Sequence, residues 1–326
     1  MLARRSRRLW QSGRRGFAAV AVAWALAGCE APLVLDGVER MRANPVQRTD
    51  RYQAAASTGK EVVVVGNQGV ILRSEDGGAN WQRQVLPGWP ALIDIAACPD
   101  GSLVALAYEK AVHLSVDGGR SWAAKPINDT AETPQSVTCA PDGRIWVVGS
   151  YTYIWSSADQ GESWDESTRD EDALLTTVQF FTAEHGIVTG EFGTVLETTD
   201  GGANWESREP LPEEFYPQEA WFDDAANGWV IGLGGTILHT TDGGSSWTSQ
   251  PTGTQVSLFG IERLGDTLYV VGGEGTLLAY RDGRWQAVPH GKPVRLYLRA
   301  ILGVDPAHLL VGGIGGALHV IDVDGA

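Results

Sequence analysis

Cysteine is scarce in this chain, three in 326 residues, which excludes a small protein built on disulfides. Long apolar runs are missing too. The longest, from Gly16 to Gly28, is about 13 residues, short of the roughly 20 that cross a bilayer as a helix. The 3.6-residue periodicity of amphipathic helices is absent, which rules out helical repeats. Net positive charge is confined to the start: residues 1–28 hold six arginines and no acid, and the remainder carries 19 Lys and Arg against 40 Asp and Glu. A body with that balance of −21 repels phosphate backbones, so nucleic acid is not a partner. What is abundant is glycine, 41 residues, and tryptophan, 13, within a globular composition that is 43% hydrophobic.

Arginines followed by a short apolar stretch form an export signal. The stretch ends Leu26-Ala27-Gly28-Cys29, which resembles the bacterial lipoprotein signal, in which the thiol of Cys29 takes a diacylglyceryl group and becomes the new amino terminus. That resemblance implies an exported, lipid-anchored protein on the periplasmic side. Glu30, where Asp would mark retention in the inner membrane of enteric-type bacteria, favours the outer membrane. Arg14-Arg15-Gly-Phe17 also resembles part of a twin-arginine signal, so both export routes stay open. The chain divides into a signal peptide, 1–28, a tether and ring-closing segment, 29–49, and one repeat domain, 50–326.

The repeat is marked twice. Ser74-Glu-Asp76-Gly-Gly-Ala-Asn-Trp81 recurs around Asp117 and Trp122, Asp159 and Trp164, Asp200 and Trp205, and Asp242 and Trp247, with a shortened copy at Asp282 and Trp285. The aspartates lie 41, 42, 41, 42 and 40 residues apart. About ten residues before each comes a β-rich run closing on a small residue, at Gly66, Ala107, Gly149, Gly190, Gly232, Gly272 and Gly312. Seven marks mean seven repeats, and each reads as four short strands. In the fourth copy these are 178–181, 186–189, 194–198 and 205–207. A period of 40–45 residues with four strands is that of a propeller blade. The expected fold is all-β, a seven-bladed β-propeller with four-stranded antiparallel blades. The seventh repeat stops without a fourth strand, and residues about 33–48 are expected to supply it and close the ring.

The Ser/Thr-x-Asp-x-Gly-x-x-Trp pattern resembles the Asp-box, or bacterial neuraminidase repeat. Its roles are structural: the carboxylate caps a turn, glycine takes positive φ, and the tryptophan fills the gap between blades. The larger unit, Gly232–Trp247, repeated at Gly190–Trp205 and Gly66–Trp81, resembles the photosystem II stability and assembly factor family over residues 50–322. That likeness implies a non-enzymatic, monomeric propeller, without cofactor or metal, that binds a partner protein in a membrane or envelope complex. A glycan-binding or sialidase-like hydrolase and a structural envelope subunit are the alternatives.

The hydrolase lacks its equipment, because no Arg-Ile-Pro stretch occurs in the sequence. Arg295 and Arg299 are candidates to face the pore, though interblade ion pairing is the plainer expectation. The six histidines show no zinc-ligand spacing, and the Gly-rich stretches precede strands rather than helices. A partner site belongs on the end of the ring that carries the second-to-third-strand turns and the connections between blades. Glu109, Tyr151, Tyr153, Glu191, Phe192 and Glu274 stand there, beside Gln68, Lys110 and the acidic connection Glu209-Pro-Leu-Pro-Glu-Glu-Phe-Tyr216. Cys98 and Cys139 sit on corresponding first strands and point into one interblade gap. A sheet spacing of about 10 Å against a Cα limit near 7 Å favours two buried free thiols over a bridge.

Overall fold

The computed structural model describes residues 37–38, 43–128, 132–291, 294 and 296–323. The signal region, Cys29 and Arg295 therefore lie outside the described residues. Asn44–Ala326 forms one compact unit; of the segment before it, residues 37, 38 and 43 are described, all helical. Among the described residues no helix is long and apolar enough to cross a membrane.

Seven antiparallel sheets follow one another along the chain, six of four strands and a last one of three. The chain runs from the innermost strand of each sheet outward, as in Leu175–Phe180, Gly186–Gly190, Val195–Thr198 and Glu206–Ser207 of the fourth. The second strands, such as Val62–Gly66 and Ile145–Gly149, are buried on both faces, whereas the outer strands are largely exposed. Buried apolar side chains form seven clusters, each shared by two consecutive blades. The core is thus a set of interblade seams rather than one central mass, and hydrophobic burial ties every blade to its neighbours.

The repeat's tryptophans sit in these seams. Trp81, Trp122, Trp164, Trp205, Trp247 and Trp285 each pack between their own blade and the preceding one. The seam between blades six and seven has none, and Val323 helps fill it. The aspartates cap the turns ahead of them. Asp159 accepts the Ser163 N–H and hydroxyl at 2.9 and 2.5 Å and the Ser157 hydroxyl at 2.8 Å. Asp76, Asp117, Asp200 and Asp242 repeat the arrangement. The sixth copy differs: Asp282 and Gly283 form a two-residue hairpin turn, both at positive φ, so Asp282 fills a left-handed position instead of capping a longer turn.

Ring closure also departs from expectation. The seventh blade keeps three strands, and no fourth strand occurs among the described part of residues 33–48. Instead the Asp50 carbonyl accepts the Gly316 N–H, Arg51 bridges Ile314, and Val46 packs into the seam between blades seven and one. Cys98 and Cys139 are joined in a disulfide, contrary to the expectation of free thiols. Their Cα atoms are 5.1 Å apart because both lie at the ends of inner strands, where neighbouring blades converge well inside ordinary sheet spacing.

Candidate interaction face and central channel

Every inner strand carries the same irregularity. Its second residue is skipped in the pairing with the second strand: Gln53, Ile93, Gln135, Thr176, Gln218, Phe259 and Arg299. An extra residue at a bulge re-aims the side chain, and all seven line the central channel, a cavity of about 150 Å³. The bulge also accounts for the small-residue mark in the sequence. A Cβ on Gly66 would come within 2.3 Å of the Arg51 carbonyl oxygen, and one on Gly149 within 2.2 Å of the Thr133 oxygen. In the seventh blade the equivalent residue is Gly313, one beyond the marked Gly312.

Asp94, Glu219, Glu262 and Arg299 are the channel's ionisable side chains. Arg299 thus faces the channel, not an interblade ion pair. The carboxylates are occupied. Asp94 accepts the N–H groups of Ile95 and Val137, both at 2.8 Å, and the Ser136 hydroxyl at 2.9 Å; Glu219 accepts the Ile261 N–H at 3.2 Å. Glu262 accepts the Gly303 N–H. Gln179 does the same work uncharged, accepting the Phe222 N–H and donating to its carbonyl. In blades three, five, six and seven the unpaired inner edge is thereby satisfied by a side chain from the blade before it. Burial, then the charge of Asp94, pushes Glu219 up to about 8, against the pull of Arg299. Burial pushes Glu262 up to about 7 and raises Asp94 as well.

The channel opens at one end among the second-to-third-strand turns. Glu109, Tyr151, Glu191, Phe192 and Glu274 stand on these turns. Two of the acids brace their own loops: Glu109 takes the Ala91 N–H on both oxygens, at 2.9 and 3.1 Å, and Glu191 takes the Leu174 N–H at 2.9 Å. Tyr153 leaves the end surface and stacks on Trp155 at 5.3 Å, in the seam between blades two and three. Sequence reading missed several exposed apolar residues at this end: Trp89, Tyr108, Leu233 and Leu296. Of the nine exposed large apolar side chains among the described residues, six lie on turns and connections here, while Val116 lies at the Asp-box end. The signal for Trp89 was Pro87-Gly-Trp-Pro90, an aromatic at the tip of a two-proline connection.

The family described as photosynthesis system II assembly factor YCF48 matches residues 37–144 and 169–258. The chain belongs to that family. It is 30% identical over 162 residues to the photosystem II assembly protein Ycf48 of Synechococcus sp. strain JA-3-3Ab, covering 47% of this chain and 48% of that one. Over 180 residues it is 30% identical to the photosystem II assembly lipoprotein Ycf48 of Trichormus variabilis, covering 54% and 51%. The chain thus spans about half the length of these curated relatives in the matched regions. The structure of YCF48 bound to D1 peptide shares the fold, with a TM-score of 0.71 at 17% identity over 85% of this chain and 93% of that one. A streptogramin B lyase shares it equally, at 0.73 and 13% over 86% and 95%, so the propeller itself does not decide the chemistry.

Proposed function

We propose that this chain is a non-enzymatic, lipid-anchored propeller that binds a partner polypeptide during assembly or maintenance of a membrane or envelope complex. The observation that carries the reading is the concentration of exposed aromatic and apolar side chains at one end of the ring, in a member of the YCF48 family. Exposed apolar clusters of this kind mark interaction surfaces. Lipoprotein names among the relatives support acylation of Cys29, with the outer membrane favoured by Glu30.

One observation speaks for the enzymatic alternative: two carboxyls raised toward neutrality in a channel, a pattern found at catalytic sites. Their geometry speaks against it. The acids hold backbone N–H groups of the next blade, and a cavity of about 150 Å³ falls below the usual range for ligand pockets, about 300–1,000 Å³. Affinity capture from solubilised membranes, with partners identified by mass, tests the proposal. Recovery of a defined membrane complex supports it. Absence of any partner together with sugar-releasing or lyase turnover that depends on Glu219 or Arg299 overturns it. Cys29→Ser is expected to abolish lipid labelling and free the protein from membranes, and unchanged attachment would refute the anchor.

A further inference from the structure

The turns at the channel mouth contain a contradiction between backbone and side chain. In six of the seven second-to-third-strand turns the middle residue is left-handed. Glycine takes that position in blade five, Gly234, and blade seven, Gly315. The others carry Gln68, Tyr151, Phe192 and Glu274 at φ of 61°, 56°, 56° and 55°. Trp89, on the connection into blade two, has φ 54°. For bulky side chains these are true outliers, costly to the backbone. Burial does not repay the cost, since Trp89, Tyr151 and Phe192 are 73%, 45% and 62% exposed. Strain held without packing in return is the mark of a functional position.

These three aromatics, with exposed Tyr108, stand on consecutive blades two to four or on the connection leading into them. The same arc carries Asp170, Glu171 and Asp172, consecutive and exposed on the connection from blade three to blade four. Two basic side chains stand there among the described residues: Arg169, taken by Glu171 at 3.1 Å, and Lys110, next to Glu109 on the blade-two turn. The arc is therefore apolar and carries more acidic than basic side chains. An anionic bilayer surface repels those carboxylates, whereas a polypeptide with Lys or Arg among apolar side chains meets both features.

We infer that the arc of Trp89, Tyr108, Tyr151 and Phe192 beside Asp170–Asp172 docks a basic, apolar segment of a partner protein. The inference rests on the partner-binding reading above and adds to it a place and a chemistry. Aromatic anchors, with two rotatable bonds each, lose little entropy on binding, and the acids supply steering and selection against acidic segments.

The test combines stability, cross-linking and defined peptides. Tyr151→Gly, Phe192→Gly and the double variant relieve the left-handed strain, so their melting temperature is expected to stay the same or rise. Binding of a 15-residue synthetic peptide alternating Lys or Arg with Leu and Phe is expected to fall at least tenfold in the double variant and in Asp170→Asn/Glu171→Gln/Asp172→Asn. A peptide with Glu in place of every basic residue should not bind. In cells, a photo-cross-linking residue at 151 or 192 is expected to capture a protein segment bearing Lys or Arg among apolar residues, while one at 116 captures none. Equal binding of both peptides, loss of melting temperature in the glycine variants, or cross-links from 151 and 192 to lipid would overturn the inference. If position 116 captures the partner instead, the assembly reading stands and this face is wrong; if no position captures any protein, both fall.

Discussion

Arg83 holds the carboxylate of Asp50 with both of its terminal nitrogens, at 2.8 and 2.9 Å, where the first blade meets the three-stranded seventh. The buried Tyr52 hydroxyl donates to the same carboxylate at 2.7 Å, and the Gln47 N–H adds a third donor at 2.8 Å. This side-chain latch pins the segment ahead of the first strand, whose backbone meets the seventh blade, to the first blade's outer strand 33 positions away.

Removing Arg83 leaves the Asp50 charge buried and unpaired, so Arg83→Met is expected to destabilise the ring by about 3 kcal/mol. Asp50→Asn, which keeps acceptors for Tyr52 and Gln47, should cost less. Urea unfolding of the two variants checks the order. A loss below about 1 kcal/mol for Arg83→Met would show that packing of the first inner strand against the seventh blade closes the ring unaided.

The Cys98–Cys139 bond ties blade two to blade three across a separation of 41 residues. Loop-closure arguments put its contribution at about 4 kcal/mol for a loop of this length. In the Cys29→Ser chain, alkylation in denaturant is expected to find no free thiol without reductant and two with it. Cys98→Ala/Cys139→Ala should lower the urea midpoint, and finding two free thiols before reduction would remove the bridge.

How far the sequence foretold this depends on what kind of interaction was at stake. Blade number, strand order and the seam tryptophans follow from local chemistry repeated at a fixed period, so Asp200-Gly-Gly-x-x-Trp205 reads correctly without any fold. The channel acids do not follow. Asp94 and Glu219 look like ordinary polar positions in alternating strands, and only the bulge one residue earlier turns them toward the next blade's backbone. The disulfide was misjudged because a mean sheet spacing was applied where inner strands converge. The second-to-third-strand turns were located from the repeat, yet the exposed Trp89 and Leu296 were missed, since exposure in a connection leaves no periodic trace. The Asp50–Arg83 latch joins residues of no repeating pattern and had no signal at all.

Trp205 and Trp164 make a graded pair. Trp205 is part-buried, meets Trp146 and Phe180 edge-on at 5.9 and 6.0 Å, and its Nε1 finds no acceptor. Trp164 is buried and donates to the Pro126 carbonyl at 3.1 Å. Trp164→Ala is expected to cost about 4 kcal/mol and Trp205→Ala about 2–3. Gly202→Ala tests the same seam from the other side. Its φ is +80° and a Cβ would lie 2.0 Å from the Trp146 ring, so the methyl should destabilise despite adding apolar surface. Equal losses for the two tryptophans would mean that burial in the seams does not set their contribution.

Stability should peak in mildly acid solution, and the sign can be worked out from the two groups of carboxyls. The Asp-box carboxyls are held down by hydrogen bonds, Asp159 to about 2 through the Ser163 hydroxyl first and then its N–H. Asp76, Asp200 and Asp242 are lowered in the same way. A depressed native pKa gives stability that is present above the unfolded value, near 4, and lost as pH falls through the native one. The channel acids act oppositely. Glu219 at about 8 and Glu262 at about 7 stay protonated in the native state where the unfolded chain has already ionised. The native state then binds more protons, so stability declines from about pH 4.5 until Glu219 has ionised near pH 8. The urea midpoint is expected to be lower at pH 8 than at pH 5. Glu219→Gln keeps an oxygen for the Ile261 N–H while removing the titration, so the decline should be shallower and the variant more stable than the parent at pH 8. A parent midpoint that is flat or rises between pH 5 and pH 8 would show that the channel carboxyls ionise freely, with water and Arg299 carrying their charge.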